Sequence, residues 1–100
     1  MYQLRQTDTF AKWLTALRDK QAKARILARL EGTRLGNLGD TKSVGGSVRE
    51  MRIHIGPGYR VYFALRRKVV ILLLCGGTKS TQSRDIQRAQ KMLSELDSEK

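Results

Sequence analysis

Residues 50–63 constrain the fold most strongly, because apolar and polar residues alternate there in two short runs. Alternation with a period of two is typical of a half-buried β-strand. Gly56-Pro57-Gly58 separates the runs, so we predict a β-hairpin with these three residues as its loop. An odd-length loop keeps each face uniform. The predicted pairs are Ile53 with Val61, Met51 with Phe63, His54 with Arg60, and Arg52 with Tyr62.

The predicted hairpin has one apolar face and one charged face. The charged face carries Glu50, Arg52, His54, Arg60 and Tyr62. The whole chain has 20 Lys and Arg against 9 Asp and Glu, a net charge of +11. Such a charge favours a polyanionic partner, which is a nucleic acid, an acidic protein or an anionic membrane surface. RNA is the first candidate for the charged face.

Length and cysteine content narrow the class of protein. A chain of 100 residues predicts one domain over residues 1–100. The single cysteine, Cys75, cannot form an internal disulfide, which favours a reducing, cytoplasmic environment. One His and one Cys predict no zinc site. The longest apolar run, residues 69–75, is too short to span a bilayer, and no signal peptide is visible. We therefore expect no cofactor, no metal and no membrane partner.

Helix signals dominate the first third of the chain. A short strand is predicted at residues 2–6, followed by a helix that Thr7 or Asp8 caps. Asp19 is predicted to cap a second helix over residues 20–31, with Gly32 in the left-handed position that ends it.

The remaining segments complete the predicted sheet. The glycine-rich residues 33–47 are interpreted as an ordered loop. Residues 69–75 are apolar on both faces, as a central strand is, and Gly76 and Gly77 are predicted to end that strand. A last helix follows a cap at Ser80 or Thr81. The order β-α-α-β-β-β-α predicts an α+β domain, an antiparallel sheet with helices on its apolar face.

Four motifs together give the chain a family resemblance. They are Phe10-Ala-Lys-Trp13-Leu14, Gly39-Asp-Thr-Lys-Ser-Val-Gly-Gly46, Glu50-Met-Arg-Ile53 with Gly56-Pro-Gly-Tyr-Arg-Val-Tyr62, and Gly76-Gly-Thr-Lys-Ser80 leading to Asp85-Ile86. With these motifs the chain resembles the RelE/ParE superfamily of bacterial toxins. Within it, the chain resembles the HigB-like group, often labelled addiction-module killer proteins. The resemblance covers nearly the whole chain.

The resemblance implies the toxin of a type II toxin-antitoxin system, with a cognate antitoxin protein as its partner. Many RelE-type members enter the ribosome and cleave mRNA, which would make this chain a ribosome-dependent endoribonuclease that inhibits translation. ParE-type members instead inhibit DNA gyrase without an enzymatic step, and this is the alternative. Neither activity needs a small-molecule substrate.

RNA cleavage of this kind begins when the ribose 2′-OH attacks the adjacent phosphorus. The reaction needs a proton acceptor, a group that stabilises the phosphorane-like dianion and help for the leaving oxygen. Arg52 and Arg60 suit the dianion because a planar guanidinium binds two phosphate oxygens at once. Lys79 lies just before a predicted helix N-terminus, a natural phosphate site. Alternatively, both arginines pair with Glu50 across a solvated sheet face.

The proton acceptor has several candidates. Tyr62 is predicted to stack on a base or to hydrogen-bond to the phosphate, and Glu50 or His54 to hold a proton. Some RelE-type enzymes carry a catalytic Tyr or His near the C-terminus, whereas this chain ends Ser-Glu-Leu-Asp-Ser-Glu-Lys after Leu93. The base would therefore come from Glu50, His54, Tyr62 or Lys79.

Overall fold

The fold is a five-stranded β-sheet with helices on both faces, described for residues 1–98 in a computed structural model. The elements are β1 (Gln3–Gln6), α1 (Asp8–Ala16), α2 (Lys20–Arg34), β2 (Thr41–Gly45), β3 (Val48–Ile53), β4 (Tyr59–Arg66), β5 (Val70–Thr78), a 3₁₀ turn (Lys79–Thr81) and α3 (Gln82–Ser98). The strand order is β1-β5-β4-β3-β2. Strand β1 is parallel to β5 and the other neighbours are antiparallel. The α+β class is confirmed, with one strand more than predicted, but the prediction of an antiparallel sheet is wrong for the pair of β1 and β5.

The additional strand is β2, which lies in the segment predicted to be a loop. Thr41 pairs with Met51 and Lys42 with Glu50, so β2 completes the outer edge of the sheet. The turn into β3 uses three consecutive residues with positive φ, at Gly45, Gly46 and Ser47. The loop prediction was wrong because the glycines mark this turn and the preceding connection, not the whole segment.

The predicted starts of α1 and α2 are confirmed, but the predicted end of α2 is wrong. Thr7 caps α1 by accepting from the Phe10 N–H at 3.0 Å, and Asp19 caps α2 in the same way. Helix α2 continues through Gly32 to Arg34. The left-handed residue is Gly36, with φ 102°. A helical glycine followed by further helix formers does not stop a helix whose buried face continues, and Thr33 is fully buried.

The central hairpin has the predicted faces but a different register. Met51 pairs with Val61, and Arg52 lies directly opposite Arg60. The loop is longer than Gly-Pro-Gly and covers residues 54–58, because the backbone already turns at Ile55, whose N–H donates to Ile53 O at 2.9 Å. The pairing therefore differs from the predicted one by two positions. A slip of two residues keeps every side chain on its face.

The two faces of the sheet belong to different helical layers. Helices α1 and α2 cover the apolar face, where the buried residues are Phe10, Ala22, Ile26, Leu30, Met51, Ile53, Tyr59, Val61, Phe63, Ile71 and Leu73. Helix α3 covers much of the opposite face, where Ala89 and Leu93 pack on Val48, Tyr62, Ala64, Leu74 and Cys75. The expectation that all helices lie on the apolar face is correct for α1 and α2 only. The charged face is thus largely buried instead of solvated.

The prediction that Gly76 and Gly77 end β5 is wrong. Both lie within the strand, where they let the two helical layers approach it. A Cβ at Gly76 would lie 2.4 Å from the Trp13 ring of α1. A Cβ at Gly77 would lie 1.8 Å from Asp85 Oδ2 of α3. Real carbon atoms do not approach so closely, so the absence of a side chain here sets the distance between layers.

We expect Gly76→Ala to destabilise the fold by about 1–3 kcal/mol, because the added methyl group overpacks the contact with Trp13. Gly32→Ala is the matched control. It lies inside α2 with only the Asn37 carbonyl oxygen near a Cβ, at 3.8 Å. The control should stabilise the protein by about 0.5–1 kcal/mol, as alanine does in a helix interior. Urea unfolding of both variants checks the opposite signs, and equal stabilities would contradict the packing argument.

Candidate functional site

The candidate site is built around Glu50, a carboxylate with no exposed surface. Its Oε1 accepts a hydrogen bond from Arg52 Nε at 3.1 Å. Its Oε2 accepts from Tyr62 Oη at 3.0 Å and from Gln82 Nε2 at 2.7 Å. Arg60 Nε lies 3.6 Å from the same oxygen and forms an ion pair. Two strands and the first residue of α3 therefore meet at one carboxylate.

The surroundings of Glu50 keep it ionised. Burial raises the pKa of Glu50. Hydrogen bonds from Gln82, Arg52 and Tyr62, together with the charge of Arg60, lower it by more than burial raises it. The pKa of Glu50 therefore lies below its ordinary value. A carboxylate with a low pKa and both oxygens occupied is a poor proton acceptor. The geometry favours the role of orienting the two arginines.

Tyr62 cannot play one of its three predicted roles. The side chain is fully buried, because α3 covers this part of the sheet. Stacking on a base needs an exposed ring, so that prediction is wrong. Burial and the Glu50 carboxylate raise the pKa of Tyr62 above its ordinary value. The phenol stays protonated and donates to Glu50.

Arg52, Arg60 and Lys79, which we call the cationic cluster, lie side by side with different exposures. The Arg52 side chain is 32% exposed, the Arg60 side chain only 10%, and Lys79 is exposed. Arg60 was expected on an open face, but the loop before β4 covers it, and its Nη1 donates to Gly58 O at 2.8 Å. A Cβ at Gly58 would lie 3.1 Å from Arg60 Nη1 and 3.4 Å from Lys79 Cβ, so Gly58 contacts both residues of the cluster.

The cationic cluster keeps unused hydrogen-bonding capacity. Arg60 Nε is buried without a hydrogen bond. Within residues 1–98 the Lys79 ammonium has no ion pair or hydrogen bond. The Lys79 ammonium, an exposed cationic donor without an internal partner among residues 1–98, suits an anion with several oxygens, such as a phosphate.

His54 does not lie on the charged face opposite Arg60. It lies in the loop after β3 and is largely exposed. Its Nε2 is 2.6 Å from Asp40 Oδ2, just before β2, and this hydrogen bond lowers the pKa of Asp40. His54 thus connects two loops beside the cluster, and its proposed role as a base stays a prediction.

Two residues of the site escaped sequence reasoning. Gln82 binds Glu50, and nothing in its position along α3 signals this. Asp85 is buried, and its Oδ2 accepts a hydrogen bond from Thr81 Oγ1 at 2.5 Å. That contact closes the 3₁₀ turn that carries Lys79. The spacing of an acidic residue four positions after a cap residue was a signal for Asp85.

Residues 1–98 contain no group of three His, Cys, Asp or Glu side chains that could hold a metal ion. No helix in the same range is long and apolar enough to cross a membrane.

We expect Glu50→Gln to lower the free energy of unfolding by about 3 kcal/mol at neutral pH, because removing one partner leaves Arg60 buried without its counter-charge. Glu31→Gln is the matched control, since Glu31 pairs with Arg34 on the exposed side of α2, and it should change stability little. Chemical unfolding with circular dichroism measures both. An equal response of the two variants would contradict the structural importance of Glu50.

The same pair of proteins tests the ionisation of Glu50. A lowered pKa contributes stability that is complete above the ordinary value of 4.5 and is lost as the pH falls through the folded-state value. The stability difference between the parent and Glu50→Gln should therefore shrink as the pH decreases below about 4.5. A difference that stays constant down to the acid transition would contradict a depressed pKa.

Comparison with known proteins agrees with this architecture. Residues 12–94 match the family described as phage derived protein Gp49-like (DUF891). An uncharacterized protein of Haemophilus influenzae is 47% identical over 94 residues, which cover 94% of this chain and 95% of that protein. A chain in the crystal structure of the intact E. coli RelBE toxin-antitoxin complex is similar in fold, with a TM-score of 0.53 and 18% identity. That match covers 78% of this chain and 96% of the other. The RelE-like fold is confirmed, and the extent of the family match shows that the chain belongs to the phage-derived Gp49-like family.

Proposed function

We propose that this protein is the toxin of a type II toxin-antitoxin system of the HigB-like kind, and that it cleaves mRNA on the ribosome. The observation that carries the proposal is the cationic cluster, held by the buried Glu50 on a RelE-like sheet. Arg52 supplies a partly exposed guanidinium and Lys79 an exposed ammonium. This is what a phosphorane-like dianion requires.

The chemistry relies mainly on electrostatic stabilisation. Glu50 fixes both arginines before substrate arrives, so little reorganisation is needed when charge develops on the phosphate. Lys79, free of protein partners among residues 1–98, supplies a further cation. Tyr62 and Glu50 are fully buried beneath the arginines and do not reach the solvent.

Expression in bacteria without an antitoxin tests the activity. We expect growth arrest, with new mRNA ends inside translated reading frames, because cleavage depends on the ribosome. Intact mRNA with accumulated double-strand DNA breaks would instead assign the protein to the gyrase-inhibiting toxins. Unimpaired growth at high expression of folded protein would refute the toxin proposal.

Lys79→Ala is the sharpest variant for the cluster, since the side chain is exposed and has no partner within residues 1–98. Its unfolding free energy should change by less than about 0.5 kcal/mol. The cleavage rate should fall by about 10²–10³-fold if the ammonium stabilises developing charge as an oxyanion donor does. Lys91→Ala, an exposed lysine on α3, is the control and should cleave like the parent. Full toxicity of a folded Lys79→Ala would exclude Lys79 from the site.

Arg52 and Arg60 need a gentler substitution, because Arg60 is buried and alanine would unfold the site. Arg52→Lys and Arg60→Lys keep the charge but remove the planar fork. Both should stay folded and lose mRNA cleavage, if two-oxygen binding matters. Folded variants with full activity would show that these arginines serve only the sheet.

The proposed antitoxin partner should carry acidic residues in its neutralising segment. A chain of net charge +11 attracts an acidic partner over long range, and this attraction increases the rate at which the two proteins associate. The rate should fall as salt is added, since exposed charges are screened beyond about 8 Å at physiological ionic strength. Stopped-flow mixing over a salt series measures this, and a rate independent of salt would contradict electrostatic attraction.

A further inference from the structure

The turn between β4 and β5, residues 66–69, has an unusual backbone and is called the hairpin tip here. The Val69 N–H donates to Arg66 O at 3.1 Å. Between them, Arg67 has φ 53° and Lys68 has φ 63°. Positive φ at both central residues is the property of a type I′ turn, for which Asn-Gly is the favoured sequence. This chain places two long cationic side chains in positions that disfavour them.

The two cations of the hairpin tip project from a fixed base. Arg67 and Lys68 are exposed, and within residues 1–98 their side chains have no ion pair or hydrogen bond. Arg66, by contrast, forms an ion pair with Asp97 of α3, so the base of the turn is tied to the helix behind it. The tight connection between the paired strands requires positive φ at both central residues, but no internal contact accounts for Arg and Lys, in place of Asn and Gly, at these two positions. A strained position without a structural partner points to function.

We propose that the hairpin tip is an RNA-binding element, in which Arg67 and Lys68 contact phosphates along the groove of a double-stranded RNA. The β4–β5 hairpin ends in a narrow, convex tip that carries both cations. The deep groove of an A-form duplex is narrow and bordered by phosphates on both sides. Each contact gains free energy by releasing counterions, which requires charge and not a large contact area.

The shape of the tip favours RNA over a protein or a membrane. A stable protein interface buries roughly 800 Å² on each partner, and a two-residue apex cannot supply it. A membrane-inserting turn would place apolar residues at the apex. Here Arg67 and Lys68 occupy the two central positions of the turn, while the exposed apolar residues flank them, Leu65 on β4 and Val69 at the end of the turn.

The hairpin tip is a separate site from the cationic cluster. Arg60 is near the beginning of β4 and Arg66 is its last residue, so the two sites lie at opposite ends of an eight-residue strand. At about 3.3 Å per residue, this separates them by roughly 20 Å. The inference goes beyond the proposed toxin activity, and binding at the tip can be measured whether or not the protein cleaves RNA.

The test is a double variant, Arg67→Asn with Lys68→Gly, which removes both charges while supplying the sequence that the turn favours. We expect it to unfold at a higher temperature than the parent and yet to bind a synthetic RNA duplex roughly tenfold more weakly at physiological salt. The slope of log K against log salt should become shallower by about 2, for two lost phosphate contacts. Lys12→Gln with Lys91→Gln is the control, because it removes two exposed charges elsewhere.

The outcomes separate the alternatives. Duplex binding that is unchanged, or that falls equally in the control, would overturn the proposal. Retained RNA binding with lost binding to phosphatidylserine vesicles would assign the tip to a membrane surface instead. Lys68→Asn alone provides a second variant. It keeps Arg67 and should change the salt slope by about half as much.

Discussion

A buried carboxylate shared between the sheet and a helix organises this structure. Glu50 has no exposed surface and is surrounded by two arginines, a tyrosine and a glutamine. A charge in such a place is tolerated only if it is paired and fully hydrogen-bonded. Meeting that requirement fixes the start of α3 against β3 and β4. It also fixes the guanidinium groups, so the stability of the fold and the shape of the candidate site depend on the same interaction.

Sequence reasoning succeeded where a local period determined the answer. The alternation in residues 50–63 placed Glu50, Arg52, Arg60 and Tyr62 on one face, and that assignment survived an error of two positions in register. The caps at Thr7 and Asp19 were predictable because they need only a side-chain oxygen three residues before an N–H.

Sequence reasoning failed where distant segments meet. Nothing in the alternation showed that α3 covers the charged face, so Tyr62 and Arg60 were expected to be more exposed than they are. Gly76 and Gly77 were predicted to end the strand. The sequence alone does not distinguish a glycine pair that ends a strand from one that makes room for a side chain packed on the strand. The contribution of Gln82 to the candidate site depends on a contact across 32 residues of chain, which no local pattern contains.

The pairing of β1 with β5 has a consequence for how the molecule assembles. Gln3 lies beside Val70, so the first strand can pair only after the chain has extended through β5, more than 60 residues later. Parallel pairing over such a separation closes a long loop and is intrinsically slow. Gln82 must arrive later still before Glu50 has all its hydrogen bonds. The arrangement of the cations is therefore complete only once the chain has extended through Gln82, after the segments that carry Glu50, Arg52 and Arg60.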